Sequence, residues 1–262
     1  METKIGCTGW SYGGWSGTFY PKKLGTSDWL QYYSKVFPIT EVNSTYYKIP
    51  DTSITKKWNS VTPDSFQFTA KFPSIITHEN KLINVKSHVF KFLSSLVPIH
   101  NKVFALVLQL PPSLSFPDAR PRLDELFSYL PPDFRYPIEG RHESWFTDEA
   151  FDYLKENNHC LVWNEVRGIH NPAKITSDYV YVRLIGDRTI SESEFGKVSI
   201  DRSQLIQNWA NKIKKLKNVK LAIIMANNHF EGFAPSTANT LRVQLGLPEL
   251  LWDEKKQQKL EF

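Results

Sequence analysis

An α/β chain folded as a single TIM-like (β/α)8 barrel over residues 1–262 follows from three observations. Eight short runs rich in β-forming residues alternate with amphipathic stripes, as expected of parallel strands joined by helical crossovers. The length of 262 residues is close to the roughly 250 typical of such barrels. No GxGxxG follows the first run, and GxxxxGK before Ser or Thr occurs nowhere, so the open nucleotide-binding sheets lose their main support. No repeat, low-complexity segment or Gly/Ser-rich linker divides the chain.

The strands are expected at 4–9, 39–43, 66–71, 103–109, 136–141, 159–163, 179–186 and 219–227. Pro137 has no N–H for a ladder, so it belongs at the beginning of the fifth strand or beside an irregularity. Ser27 and Asp28 open the first helix, whose apolar face is Leu30, Tyr33, Val36 and Phe37. Ile54, Trp58 and Val61 mark the next helix, and Val85, Val89, Phe92 and Leu96 the third. Leu123, Leu126 and Leu130 give a fourth, and Thr147 with Asp148 and Glu149 opens a fifth. Residues 164–177 carry no helical stripe and are expected to form an irregular crossover between strands six and seven.

Composition points to a reduced compartment: Cys7 and Cys160 lie far apart in apolar runs, without a CxxC. With no signal-peptide pattern and no run of membrane-spanning length, a cytoplasmic protein with no membrane partner is expected. The net charge of +5 favours anionic partners without selecting among them. The densest basic run, 211–220, follows the stripe Ile206, Trp209, Ile213 and Leu216, which reads as a solvated helix face rather than a nucleic-acid footprint.

In a barrel of this kind the chemistry gathers at the C-terminal ends of the strands. Those ends supply Trp10, Glu41, Asn43, Tyr46, Lys71, His78, Gln109, Glu139, Arg141, His142, Trp163, Arg183, Asn227, Asn228 and His229. Strand parity sorts them. Glu41 shares a face with Asn43, Lys71 with Thr69 and Gln67, Glu139 with Arg141, and Arg183 with Tyr181, whereas Val42, Phe68, Ile138 and Leu184 point the other way.

All of these strand-end residues except Trp163 fall within seven ordered motifs: "GCTGWSYGGWSGTFYP" (6–21), "EVNSTYY" (41–47), "FQFTAKFPSIITH" (66–78), "LQLPP" (108–112), "EGRHESW" (139–145), "YVRLIG" (181–186) and "NNHFEGFAP" (227–235). On them the chain resembles the YecE-like family, also known as domain-of-unknown-function family seventy-two. That resemblance implies a TIM-like barrel with a pocket at its C-terminal mouth, and no settled reaction. Asn164-Glu165 and Met225-Ala226 depart from the family pattern, which often has an aspartate near a proline at the first place and an aromatic at the second.

Glu41 and Glu139 are the candidate acid and base, with His142 and His78 as further proton carriers, and hydrolysis is among the reactions such a pair can run. The competing reading is that both acids neutralise buried cations. Arg141 and Arg183 offer bidentate forks and, with Lys71, suit a phosphate or carboxylate. Asn43, Asn227 and Asn228 suit hydroxyls or amides, Trp10, Tyr46 and Trp163 suit the face of a sugar or base, and Gln109 and His229 are further candidate ligand-binding residues. No HxH, HExxH or CxxC occurs, so no metal is expected, and the sequence leaves the cofactor unknown. The favoured reading is an enzyme acting on a small polar or anionic, sugar- or nucleoside-like substrate by general acid/base chemistry. A nucleic-acid-binding or nucleic-acid-processing protein and a non-catalytic ligand-binding barrel are the alternatives.

Overall fold

The computed structural model describes residues 1–166, 168, 171–186 and 188–252. Its strands are β1 (Glu2–Thr8), β2 (Ile39–Val42), β3 (Gln67–Lys71), β4 (Val103–Gln109), β5 (Ile138–Glu139), β6 (Trp163–Val166), β7 (Tyr179–Gly186) and β8 (Leu221–Ala226). They form one sheet in the order β5-β4-β3-β2-β1-β8-β7-β6, and every pairing is parallel. A bridge between Ile138 and Leu161 joins the two ends: the Ile138 amide donates to the Cys160 carbonyl and the Val162 amide to the Ile138 carbonyl, both at 2.8 Å. The sheet thus closes into a (β/α)8 barrel, as the alternating sequence predicts.

The helices between strands are α1 (Trp29–Val36), α2 (Ser44–Tyr47), α3 (Thr52–Val61), α4 (Lys86–Leu96), α5 (Phe116–Phe127), α6 (Asp148–Glu156), α7 (Ser203–Lys214), α8 (Asn228–Glu231) and α9 (Ala234–Gln244). Their starts follow local chemistry. The Ser115 hydroxyl accepts from the Asp118 amide at 3.3 Å with a proline in the first turn of α5, and the Thr147 hydroxyl accepts from the Ala150 amide at the start of α6.

Two elements depart from expectation. β5 is two residues long rather than six: it begins after Pro137, which cannot donate to a ladder, and stops before Gly140. β6 begins at Trp163 instead of ending there, because at Leu161 the amide turns to the Thr176 hydroxyl, at 2.8 Å, in place of a strand partner. Within the expected 164–177 crossover no helix occurs among the described residues, while Arg167, Ile169 and His170 lie outside them. Residues 253–262 also lie outside. No described helix is long and apolar enough to cross a membrane, and Cys7 and Cys160 are buried free thiols.

Side chains alternate between two cores. Val42, Phe68, Leu106, Leu108, Ile138, Val182, Leu184 and Ile224 face the helices. Ile39, Ala105, Val107, Cys160, Val162, Tyr179, Tyr181, Ile223 and Met225 form a separate cluster inside the barrel. The interior assignment rests on contacts between strands that are not neighbours, such as Thr69 of β3 with Tyr181 of β7 at 2.8 Å.

Candidate functional site

One inward position further along each strand, the interior changes from apolar to charged. Glu41, Gln109, Asn164, Arg183 and Asn227 each lie two residues beyond a member of the interior cluster, Ile39, Val107, Val162, Tyr181 and Met225 respectively. Glu41, Glu139, Lys71, Gln109 and Arg183 are all buried, so they must find partners inside the barrel.

Arg183 is the hub. One guanidinium nitrogen, Nη2, donates to Glu41 Oε1 at 2.7 Å, while Nη1 donates to Glu139 Oε2 and, at 3.3 Å, to Gln109 Oε1. Its neighbours come from β2, β4 and β5, so a single side chain spans the barrel interior. Arg141 closes on the other oxygen of Glu139, donating from Nε at 2.9 Å and Nη2 at 2.8 Å. The Tyr181 hydroxyl donates to Glu41 Oε2 at 2.8 Å, which leaves it to accept from the Thr69 hydroxyl. Burial by itself would raise the Glu139 carboxyl, but Arg183, Arg141 and Lys71 together hold it down at about 2. Burial likewise lowers the Arg183 guanidinium, and Glu139 and Glu41 outweigh it and raise the group above its ordinary value.

Lys71, the last residue of β3, is treated differently. Its side chain has one hydrogen bond among the described residues, from Nζ to Gln109 Oε1 at 3.0 Å, and no carboxylate within ion-pair distance. Burial, reinforced by Arg183, lowers its amine to about 7 against the pull of the two glutamates. Tyr46 lies beside it, with Nζ 5.7 Å from the ring centre.

The loops after the strands complete the wall. Gly140 follows β5 because Trp145 folds back over it: a Cβ there would lie 2.2 Å from Trp145 Cγ. Trp145 is buried, with its Nε1 donating to the Leu114 carbonyl at 3.1 Å, and this fixed corner carries Arg141. Past β3, a π-helical turn, Ile75–Glu79, brings His78 edge-on to Tyr46, with ring centres 5.0 Å apart. The His78 imidazolium is disfavoured by burial and by Arg141 and Lys71, so the neutral ring is favoured. Gly186 ends β7 with φ of 80° and packs against α8, where a Cβ would lie 2.3 Å from the His229 carbonyl oxygen. Asn227 starts α8, accepting from the His229 amide at 2.9 Å and donating to the Thr8 hydroxyl at 2.8 Å.

Around these groups lies a cavity of about 440 Å³. Nine of the residues expected from the sequence line it: Asn43, Tyr46, Lys71, His78, Gln109, Arg141, Arg183, Asn227 and His229. Glu41 and Glu139 sit just beneath, fully buried behind the two arginines. The other four are not in its lining. Trp10 packs edge-on against Trp58, with ring centres 5.6 Å apart. Trp163 points to the helix layer, near Trp209, and donates to the Lys174 carbonyl at 2.8 Å. Asn228 is a structural cap, accepting from Trp15 Nε1 at 3.0 Å and from the Ala234 amide at 2.9 Å. His142 Nδ1 accepts from the Ser144 amide at 3.2 Å, opening the turn that holds Trp145.

Sequence reasoning assigned no site role to Tyr12, Tyr47, Ile185, Arg188, Glu192 and Phe195, which also line the cavity. Ile185 and Arg188 follow Arg183 so closely that their position at the end of β7 was a usable signal. Glu192 and Phe195 arrive on a loop without periodicity. No group of three or more His, Cys, Asp or Glu able to hold a metal occurs among the described residues.

Residues 4–260 match the family model described as "Protein of unknown function DUF72". The chain is 32% identical over 142 residues to UPF0759 protein YecE of Escherichia coli (strain K12), covering 54% of this chain and 49% of that protein. It is 31% identical over 154 residues to UPF0759 protein YunF of Bacillus subtilis (strain 168), covering 56% and 54% respectively. The chain thus spans about half the length of the curated relatives it matches. Among solved structures, a DUF72 family protein from Thermotoga maritima superposes with a TM-score of 0.81 at 25% identity, over 94% of this chain and 100% of that one. A DUF72 family protein from Enterococcus faecalis shares the fold with a TM-score of 0.74 at 22% identity, covering 94% and 98%.

Proposed function

This chain belongs to the DUF72 family, whose proteins are of unknown function, and on that premise we propose that it is an enzyme for a small polar or anionic substrate bound at the C-terminal mouth of the barrel. One observation carries the reading: strand ends that could have been filled with apolar side chains instead bury Arg183, Glu41 and Glu139, joined to the partly exposed Arg141, at the floor of an open cavity. Burying three charges is costly even when they pair, and well-packed apolar residues commonly do as well for stability. A network of this kind points to a function for its fixed geometry.

In this reading the arginines address the substrate's oxyanion and the glutamates hold them in place. Glu139, ionised down to about pH 2, is poorly suited to donate a proton at neutral pH. His78, lining the cavity with a neutral ring favoured, is the better candidate proton carrier, and Asn43, Gln109 and Asn227 supply amides for hydroxyl or carbonyl groups. Nucleic acid is less favoured as a partner. The basic run ends α7 and leads into β8, whose first residue pairs with Glu2 and Tyr179 at the foot of the barrel, so it does not extend the cavity into a groove.

The test is thermal stabilisation by inorganic phosphate, pyruvate and sugar phosphates at low ionic strength. The expected result is a shift with at least one oxyanion that Arg141→Gln abolishes. If the wild type responds to none of them, or Arg141→Gln responds equally, the anion-pocket reading is wrong.

A further inference from the structure

We propose that Lys71 is an amine nucleophile that forms an imine with a carbonyl substrate, the aldehyde or ketone of a small carboxylated or phosphorylated compound whose oxyanion lies on Arg141. This deepens the mouth-pocket reading and rests on it for the place of the oxyanion. The chain contains a control for the idea. Lys102 is another buried lysine, but its Nζ is surrounded by acceptors: the Asn59 and Thr62 carbonyls at 3.0 and 2.9 Å, the Thr62 hydroxyl at 3.3 Å, and Asp64 at 3.8 Å. Those contacts describe a lysine held for structure.

Lys71 has the opposite environment. Among the described residues its Nζ meets one acceptor, Gln109 Oε1, which it shares with Arg183. The two carboxylates able to serve it, Glu41 and Glu139, are taken by guanidinium groups. The residue is only 8% exposed yet lines the cavity, so the amine is desolvated and still open to a ligand. Its backbone is fixed by the Thr45 hydroxyl, which donates to the Lys71 carbonyl at 2.8 Å. The charged groups facing it are Arg183 from β7, Glu41 from β2, and Glu139 and Arg141 from β5 and its loop; with burial, they leave the amine at about 7. An ordinary lysine titrates at about 10.4, so at neutral pH the neutral fraction of Lys71 exceeds that of a surface lysine about a thousandfold.

The chemistry closes without an oxidant or reductant. The amine lone pair attacks the carbonyl carbon, forming C–N as the C=O π pair moves to oxygen. Proton transfer from nitrogen to oxygen gives the carbinolamine. Loss of that oxygen as water, carrying both amine protons away in total, leaves C=N. His78, across the Tyr46 ring, is placed to relay a proton to the departing hydroxyl.

The experiment is borohydride trapping on the full chain with pyruvate and with dihydroxyacetone phosphate as probes, read by intact mass and peptide mapping. Expected is one adduct per chain, on the peptide containing Lys71, with a yield that rises as pH passes through about 7 and is lost in both Lys71→Arg and Lys71→Met. Phosphate-induced thermal stabilisation is measured on the same samples. Stabilisation by phosphate without trapping by either probe overturns the imine and leaves the anion pocket standing. Trapping on Lys71 without any oxyanion response, unchanged in Arg141→Gln, supports the amine and overturns the pocket reading. Adducts spread over exposed lysines and retained in Lys71→Arg overturn the proposal.

Discussion

The two halves of the barrel interior are built on the same strands with the same alternation, yet they differ in kind. Toward the foot, Ile39, Ala105, Val107, Val162 and Ile223 fill the space with hydrocarbon. Nearer the mouth, Glu41, Gln109, Asn164, Arg183 and Glu139 fill it with charge and amides. Burial is essentially equal in the two layers, so the hydrophobic effect cannot account for the difference. The apolar layer is explained by folding alone. The polar layer needs a reason outside folding, and the cavity above it is the natural place to look.

The sharpest way to break this contrast is to remove the hub. Arg183→Met leaves Glu41 and Glu139 buried without their shared partner, and losing one side of a buried ion pair costs about 3–5 kcal/mol. Urea unfolding at pH 7 reads the loss. The triple replacement Glu41→Gln, Glu139→Gln and Arg183→Met restores most of the stability while abolishing the response to oxyanions. A loss below about 1 kcal/mol for Arg183→Met would mean that water reaches the network, and the cost assigned to it would be too high.

Acid offers a second approach. The Glu139 carboxyl is held at about 2 in the folded chain, against an ordinary 4.5. Because the folded value is the lower one, its contribution is fully present above about 4.5 and is lost as pH falls from there toward about 2. The contribution is on the order of 3 kcal/mol. Wild-type stability therefore falls more steeply through that window than that of Glu139→Gln. Parallel slopes would show that Glu139 does not sense the fold.

How much of this was legible beforehand follows from the range of each signal. Strand parity is local, so Glu41, Lys71, Glu139 and Arg183 could be placed on one face from their neighbours alone. The same parity, applied to Trp163, sets it opposite Val162 and Asn164 and therefore outside the barrel. Its aromatic character outweighed its position. Asn228 could not be read locally, because its partner Trp15 lies 213 residues away. The short β5 was hidden by a good β-forming run, which Pro137 and the Gly140–Trp145 contact cut at both ends. The pairing of both acids with arginines, which decides between proton carrier and charge partner, is a matter of ångströms and has no sequence signature.

The corner that carries Arg141 tests whether the polar layer depends on its loop. Gly140→Ala drives a Cβ into the Trp145 ring, and an overpacked buried contact of this kind costs about 1–3 kcal/mol. Since Arg141 follows directly, the variant should also weaken the response to phosphate in thermal-shift measurements. A stable Gly140→Ala variant with an unaltered response would show that the corner yields without moving Arg141.

The gentlest test comes from the other layer. Ile223→Val removes one methylene from the apolar half, two residues before Met225 on the same strand and four before Asn227, which follows the strand. A deletion of this size costs about 0.5–1.5 kcal/mol, through lost burial and a small residual void. Ile223 shares its side of β8 with Asn227, but the polar layer above it is fixed by ion pairs spanning β2, β5 and β7. The stability loss should therefore appear in urea unfolding with no change in the oxyanion response or in trapping at Lys71. A variant that lost the oxyanion response at so small a cost would show that the charged layer takes its geometry from the apolar packing below it, and that the two halves are one mechanical unit.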